Sequence, residues 1–434
     1  MLCGNLTGAA RVVRHVRTVL LMTVGAILAL GIASPTDTTA LRAETASRPA
    51  TVPALRYDTG SSAQLVRLDR RTLAPVRGRR VRIGDQPGAW ALSPDGSRLA
   101  IGSGEALGVR IVDLRRMRRL GDVRTRNGSV SIVAWLTPRR IVGVEETGLF
   151  VVDPVRKRML RSEPLDGFPY GAARYGGSLV LLLSSGELGP ARLALVDADG
   201  GVRSVVLDRI LAGFRNPSGE PGGPLGESWR PGLAVDAGGA RAFVVGGGAP
   251  IAEVDLRSLT VRYHDLARPA SLLGRLRDWL EPEARAKGPV AGNWRTARWL
   301  GGDRLAFTGE DGRALGGGTV DVTAVGLNLV DTSSWKSETL DPRANGMAFA
   351  AGTLVGTRQG FEIGRGIGLV AFDRDGGHLF HLLGDARLAI MDTLDDRVFF
   401  DDETRTRAAD LRRGRLVNAP RAVPALLVGS MSRY

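Results

Sequence analysis

Short apolar stretches alternate with turn-forming residues along most of this chain, and one five-residue pattern recurs. With some variation it reads apolar, any residue, apolar, apolar, Asp, and its apolar positions fall on both faces of an extended strand. The copies are Leu65–Asp69, Val109–Asp113, Leu149–Asp153, Leu193–Asp197, Ile251–Asp255, Leu327–Asp331 and Leu369–Asp373, with a degraded copy ending at Asp410. Most copies follow one another at roughly 40–50 residues, a period typical of repeated β-sheet blades. The pattern predicts strands packed on both faces.

The copy at residues 89–102 also indicates how the strands are connected. Ser93, Pro94, Asp95 and Gly96 form a turn signal, because Pro presets one backbone angle and Gly accepts a positive φ. Apolar runs on both sides predict a hairpin, and further inner hairpins are expected near residues 130–144, 170–184, 231–245, 296–308, 346–357 and 387–401. The Asp that ends each repeated strand is expected to bond the backbone of the following turn.

The hairpin at Ser93–Gly96, followed by the strand Val109–Asp113, resembles the repeats of secreted YVTN-type, TolB-like and WD-repeat β-propellers. The resemblance covers residues 62–420 at the level of the repeat, and elsewhere the turn has decayed to sequences such as Thr137-Pro138-Arg139-Arg140. It implies an all-β fold of four-stranded antiparallel blades around a central channel. Counting hairpins predicts seven blades, with eight as the alternative. The motif indicates no particular activity, because β-propellers carry many functions.

The N-terminal region differs in composition from the repeats. Arg11, Arg14 and Arg17 precede an apolar run at Thr18–Ile32. This layout is typical of a secretory signal peptide, and an uncleaved membrane anchor is the alternative. We assign residues 1–33 to this segment, 34–61 to a disordered linker rich in Thr, Ala, Ser and Pro, 62–420 to the β-propeller and 421–434 to a C-terminal tail. Cys3 is the only cysteine, which suits an exported protein, either extracellular, periplasmic or attached to the cell envelope.

Four lengthened connections are expected on one side of the disc, which we call the insertion side. They are Asp208–Arg230, Ala267–Asn293, Glu310–Thr323 and Gln359–Gly366. The turns after the repeated Asp residues, together with the Ser93–Gly96 turn, belong to the opposite side, the turn side. Apolar residues at helical spacing predict one short helix over Ser271–Leu280. Long loops on a rigid face commonly carry function.

The candidate ligand-binding residues lie on the insertion side, at the starts of the inner strands and in the insertions beside them. Aromatic side chains with a few convergent polar groups are typical of a ligand pocket, and Trp and Arg are typical anchors of protein interfaces. The candidates are Trp90, Tyr170, Trp229, Arg230, Asn293, Trp294, Arg295, Glu310, Asp311, Asn345 and Arg358. Packing of the Trp residues between blades is the alternative interpretation.

The chain is strongly basic, with 59 Lys and Arg against 45 Asp and Glu and a formal net charge of +14. Four basic clusters follow the strand-ending Asp residues and therefore belong to the turn side: Arg70-Arg71, Arg115–Arg119, Arg156–Arg158 and Arg412-Arg413. They predict a solvated rim or a contact with an anionic surface such as lipid head groups or wall polymers. Nucleic acid is not an expected partner, because no aromatic residues are interleaved with these clusters.

Catalytic and metal-binding patterns are sparse. His264, His378 and His381 are the histidines that follow the N-terminal segment. Odd spacing on a strand would send the His378 and His381 rings to opposite faces. We therefore expect no metal site, no cofactor and no catalytic triad.

Two functions are compatible with these observations. The first is an extracytoplasmic binding scaffold, which is expected to be a monomer and to recognise a protein or glycan partner, such as a cell-envelope polymer, with its insertion side. The alternative is a β-propeller enzyme, either a lactonase- or glycosidase-like hydrolase or a quinone-dependent dehydrogenase. Its chemistry would depend on the carboxylates Glu227, Glu310 and Asp311.

Overall fold

A computed structural model describes residues 50–57, 62–85, 87–103, 108–125, 129–215, 226–248, 250–266, 290–316, 319–359, 365–402, 406–417 and 425–427. Within these ranges the regular elements are all β-strands. No helix that could cross a membrane occurs among them. The predicted signal segment at 1–33 and the predicted helix at Ser271–Leu280 lie outside the described residues.

Six separate four-stranded antiparallel sheets form blades of the β-propeller. The first comprises β1 (Thr51–Tyr57), β2 (Ser62–Asp69), β3 (Val81–Asp85) and β34 (Ala425–Leu427). The second comprises β4 (Pro87–Leu92), β5 (Arg98–Ser103), β6 (Val109–Asp113) and β7 (Arg118–Val123), and the third β8 (Ile132–Thr137), β9 (Arg140–Val144), β10 (Gly148–Asp153) and β11 (Arg158–Pro164). The fourth comprises β17 (Gly232–Asp236), β18 (Arg241–Val245), β19 (Ile251–Asp255) and β20 (Val261–His264). The fifth comprises β26 (Gly346–Ala350), β27 (Thr353–Thr357), β28 (Leu369–Asp373) and β29 (His378–Leu382). The sixth comprises β30 (Ala389–Leu394), β31 (Arg397–Asp401), β32 (Thr406–Asp410) and β33 (Arg415–Val417).

The other strands are joined in one ten-stranded sheet. One four-strand run comprises β12 (Phe168–Tyr175), β13 (Ser178–Ser184), β14 (Gly189–Val196) and β15 (Val202–Arg215). A second run comprises β21 (Val290–Gly301), β22 (Arg304–Gly316), β24 (Leu327–Asp331) and β25 (Lys336–Asp341). Strand β16 (Gly226–Arg230) links the two runs, and β23 (Thr319–Ala324) pairs with the far end of β22.

The predicted blade count was wrong. Six separate four-stranded blades are present instead of seven or eight, and the hairpins near 170–184 and 296–308 belong to the ten-stranded sheet. The physical reason is strand length, because β15, β21 and β22 have 14, 12 and 13 residues and continue to pair beyond the body of the disc. The pattern of the repeats does not show this continuation.

The ring is closed by both ends of the chain. The C-terminal strand β34 pairs with β1, which places Leu427 opposite Ala54 and Leu426 opposite Leu55. The linker prediction was therefore wrong for residues 51–57, and the tail prediction was wrong for residues 425–427. Residues 387–401, predicted as an inner hairpin, form the last blade together with β32 and β33.

Apolar cores lie between consecutive sheets around the ring. Leu65 of β2 packs in one cluster with Trp90 of β4, and Val66 of the same strand packs in another with Phe399 of β31. Strand β2 thus buries both faces, which is why the repeated strands are apolar at consecutive positions. The first blade packs against the second on one face and against the last on the other.

The strand-ending Asp residues form the predicted turns. Asp69 accepts a hydrogen bond from the Thr72 amide at 2.7 Å, and Asp255 accepts one from the Ser258 amide at 2.8 Å. Equivalent bonds are made by Asp113, Asp153, Asp197, Asp331, Asp373 and Asp410. These carboxylates are therefore structural, and the backbone hydrogen bonds from Thr72 and Ser258 lower the pKa values of Asp69 and Asp255.

Candidate functional site

The described parts of three insertions come together in one small sheet, which we call the bridging sheet. It consists of the end of β15 (213–215), β16, the start of β21 (290–295), the end of β22 (309–316) and β23. Strands β16 and β21 run parallel, whereas the other neighbours are antiparallel. The sheet lies on the insertion side, because it continues the starts of the inner strands β17 and β21.

Two glycines permit the close approach of these strands. A Cβ atom on Gly292 would lie 1.9 Å from the Ser228 carbonyl oxygen, and one on Gly309 would lie 1.8 Å from the Trp294 carbonyl oxygen. The φ angle of Gly292 is +128°, which side-chain-bearing residues rarely adopt. Gly292 therefore allows β16 to lie against β21, and Gly309 allows β22 to lie against β21.

One face of the bridging sheet carries a row of three candidate side chains from neighbouring strands. Arg230 is in register with Trp294, and Trp294 is in register with Glu310. Side chains in register on adjacent strands point to the same face, with a spacing of about 5 Å. At one end of this row Arg230 reaches Tyr170 of β12, and at the other end Glu310 reaches Asn345, which precedes β26. We call these five residues the mouth row, because Tyr170 and Asn345 stand at the starts of inner strands.

Arg230 is a partly buried cation whose charge is not balanced by a carboxylate among the described residues. Its guanidinium carbon lies 5.8 Å from the centre of the Tyr170 ring, and its Nε donates to Ser228 Oγ at 3.3 Å. Among the described residues, no Asp or Glu lies within ion-pair distance of it, and burial lowers its pKa. Stacking on an aromatic ring leaves the edge of a guanidinium fork open to an incoming acceptor.

The other end of the row is fixed by a side-chain amide. Asn345 Nδ2 donates to Glu310 and also to the Gln359 carbonyl oxygen at 2.7 Å, while its Oδ1 accepts from the Gln359 amide at 2.6 Å. These bonds hold the Glu310 side chain against the blade that begins at β26. Gln359 therefore belongs to this end of the site, with its Nε2 buried beside Gly346.

The opposite face of the bridging sheet carries Trp229, Asn293, Asp311 and the side chain of Arg295. The Arg295 side chain is only 4% exposed; it donates to the carbonyl oxygens of Trp294 and Glu310 at 3.0 and 2.9 Å and to Asp311 Oδ1 at 2.5 Å. The Asn293 amide nitrogen, oriented towards its acceptors, donates to the same carboxylate oxygen at 2.9 Å. Asn293 also lies against Gly247, so this face packs over the β18–β19 connection.

The structure thus divides the candidates into groups. Trp90 is buried in the core between the first two blades, so for this residue the alternative interpretation, packing between blades, is correct. Five of the others form the mouth row: Tyr170, Arg230, Trp294, Glu310 and Asn345. Four lie on the opposite face of the bridging sheet, which we call the packing face: Trp229, Asn293, Arg295 and Asp311.

Arg358 is the remaining candidate, and it stands next to the site in sequence. The residue that follows it, Gln359, bonds to Asn345. The carbonyl oxygen of Arg358 itself accepts a hydrogen bond from the Leu388 amide at 3.3 Å, which ties this backbone to the segment that enters the last blade. The backbone of Arg358 therefore lies beside the Asn345 end of the mouth row.

The three carboxylates considered for catalysis do not form a pair. Glu310 and Asp311 are consecutive on β22, so their side chains point to opposite faces of the sheet. Glu227 lies two strands away on β16 and is bound by Arg215 Nη2 at 2.5 Å. Paired-carboxylate hydrolysis needs two carboxyl groups that flank one bond, and this arrangement does not supply them. Within the described ranges, no group of three His, Cys, Asp or Glu side chains could hold a metal ion.

Sequence reasoning missed two buried charged residues of the inner strands, Arg298 and Asp392. Arg298 of β21 is buried, and burial lowers its pKa to about 10, an effect opposed by the nearby Asp392 of β30. The sequence signal that could have identified Arg298 is its even spacing from Trp294, because this spacing places both side chains on the same face of β21. The repeat pattern predicts a strand at this position but does not indicate that a charged side chain is buried there.

Comparisons with known proteins support the fold. No family model matches the sequence, and no curated protein matches it. Among solved structures, the chain is similar to dihydro-heme d1 dehydrogenase NirN, with a TM-score of 0.54, 10% identity, and coverage of 89% of this chain and 75% of that one. It also resembles BamB from Moraxella catarrhalis (TM-score 0.47, 10% identity, 82% and 89% covered) and apo AztD from Citrobacter koseri (0.46, 12%, 88% and 95%). At these identities the similarity concerns the β-propeller fold alone.

Proposed function

We propose that this protein is an extracytoplasmic binding scaffold that recognises a protein or glycan partner with its insertion side. The observation that carries the proposal is Arg230, a partly buried guanidinium that lies over the Tyr170 ring and has no carboxylate partner among the described residues. Burying a cation without a counter-charge costs free energy. A ligand that supplies the missing negative charge or acceptor oxygens would recover part of that cost.

The position of the mouth row supports the same proposal. Trp294 and Arg230 stand side by side on the bridging sheet, and the glycines that bring β16, β21 and β22 together fix their spacing. Aromatic and Arg side chains held on a rigid sheet are typical anchors for a partner. The enzyme alternative has no comparable support, because its three carboxylates are separated by the faces and strands of the same sheet.

The location and attachment of the protein are part of this proposal. Residues 1–33 would direct export or tether the chain to a membrane, and the basic clusters of the turn side would face an anionic surface. The propeller would act as a monomer. The narrower relation to YVTN-type and TolB-like propellers is proposed on the Ser93–Gly96 repeat alone.

A capture experiment tests the proposal. Purified protein is immobilised and exposed to cell-envelope extract, and both the protein and the polysaccharide that it retains are quantified. Changing Trp229, Arg230 and Trp294 together to Ala is expected to abolish retention. The matched control changes Arg71, Arg116 and Arg118, which are exposed on the turn side, to Ala and is expected to retain the partner.

Undiminished capture by the first variant would reject the insertion side as the binding surface. Because its three changes all lie in the bridging sheet, its fold is checked by hydrogen exchange, and the single change Arg230→Gln is measured in parallel.

A further inference from the structure

The dimensions of the mouth row restrict the size of what it can hold. Arg230, Trp294 and Glu310 occupy three neighbouring strands in register. With strands about 5 Å apart, the row from Arg230 to Glu310 measures about 10 Å. This length fits one or two sugar rings, whereas a stable protein interface covers about 800 Å² on each partner.

The cation at one end of the row is suited to a carboxylate. Its Nε donates to Ser228 Oγ, and its guanidinium carbon lies 5.8 Å from the centre of the Tyr170 ring. The remaining N–H groups lie along the edge of the fork, which matches the two oxygens of a carboxylate. Arg295, the neighbouring arginine, is not available in this way, because it donates to two carbonyl oxygens and to Asp311.

The middle and far end of the row are suited to a sugar ring. Trp294 is partly exposed while its indole nitrogen is buried, so it offers its ring as a platform and not its N–H as a donor. The negative face of an aromatic ring attracts the weakly positive C–H groups of a sugar. The Glu310 carboxylate, which Asn345 holds in place, can accept a hydrogen bond from a hydroxyl group.

We infer that the mouth row binds an acidic sugar residue of a glycan, with its carboxylate on Arg230, its ring on Trp294 and a hydroxyl group on Glu310. The inference rests on the proposed binding function and names the ligand class for that same site. It assigns a different task to each side chain, so the three contributions can be separated by substitution.

The test compares two matched ligands. One is a uronic acid oligosaccharide, and the other is the same oligosaccharide after its carboxyl groups have been reduced to alcohols. Binding to the full chain is measured by calorimetry and by tryptophan fluorescence. The native protein is expected to bind the acidic form about ten-fold more tightly than the reduced form, a difference of about 1.4 kcal/mol.

The variants divide this affinity into its parts. Arg230→Gln is expected to remove the preference for the acidic form and to leave binding of the reduced form unchanged, with Arg230→Lys intermediate. Trp294→Ala is expected to weaken both ligands equally. Arg116→Gln, on the turn side, removes the same charge and is expected to have no effect, which separates recognition from general attraction to a basic protein.

Three results would overturn the inference. The first is equal affinity for both oligosaccharides, and the second is an equal loss in Arg116→Gln and Arg230→Gln. The third is failure to bind either oligosaccharide while envelope capture still depends on Arg230 and Trp294; in that case the binding function stands and the glycan assignment fails. Capture that is independent of these residues would instead remove the proposed function itself.

Discussion

Arg70 of the first blade donates two parallel hydrogen bonds to Asp395 of the last blade, at 2.8 Å from Nε and 2.6 Å from Nη2. The two residues are 325 positions apart in the sequence. Their side chains are 22% and 19% exposed, so solvent screens the pair only partly. This pair, the pairing of β34 with β1 and the cluster that contains Val66 and Phe399 together close the ring.

The Arg70–Asp395 pair gives the first prediction. Asp395→Asn keeps the shape of the side chain and tolerates the positive φ of 57° at this position, but it removes the charge. We expect the free energy of unfolding to fall by about 1–2 kcal/mol in urea denaturation. Asp199→Asn is the control, because Asp199 is 82% exposed beside Arg140 and is expected to change stability by about 0–1 kcal/mol. Equal losses in the two variants would contradict a role in ring closure.

The second prediction contrasts the two arginines of the bridging sheet. Arg295→Met removes three hydrogen bonds from a buried guanidinium and is expected to cost about 2–4 kcal/mol. Arg230→Met removes a desolvated cation without a carboxylate partner among the described residues, so it is expected to change stability by less than about 1 kcal/mol. Urea denaturation and hydrogen exchange of β21 and β22 measure both. A larger loss for Arg230→Met would show that this cation stabilises the sheet.

The third prediction concerns the glycine between β16 and β21. Gly292→Ala places a methyl group 1.9 Å from the Ser228 carbonyl oxygen, so β16 must separate from β21. Hydrogen exchange of residues 226–230 is expected to accelerate strongly, and oligosaccharide binding is expected to be lost. Gly352→Ala is the control, because its added Cβ meets no atom within 4 Å and only its φ of +78° opposes the change, at a cost of about 1 kcal/mol. Unchanged exchange in Gly292→Ala would show that the parallel pairing does not depend on this contact.

The fourth prediction is a dependence of stability on pH at the repeat turn. Hydrogen bonds from the Ser93 and Ser97 hydroxyl groups lower the pKa of Asp95 to about 2, from an ordinary value of 3.8. A lowered folded-state pKa stabilises the protein above the unfolded value, and this contribution is lost as pH falls from about 4 towards 2. The difference in urea midpoint between the native protein and Asp95→Asn is therefore expected to shrink over that interval. A difference that stays constant from pH 5 to pH 2 would refute the assignment.

The repeat body could be predicted from the sequence because its determinants are local. The apolar strand that ends in Asp, together with the Ser93–Gly96 turn, fixes hairpins through backbone hydrogen bonds within a few residues, such as Asp255 with Ser258. The same locality predicted that the lengthened connections belong to one side. It also identified the residues of the mouth row as candidates, although it could not separate them from those of the packing face.

Only the tertiary structure decided how these residues are grouped and how the ring is closed. The register of β16 against β21 joins segments about sixty residues apart, and a shift of one residue would move Arg230 to the packing face. The pairing of β34 with β1 likewise depends on contacts between the two ends of the chain. Local sequence determined the strands and turns of this protein, because their hydrogen bonds lie within each repeat, whereas long-range strand pairing decided the blade count and the two faces of the bridging sheet.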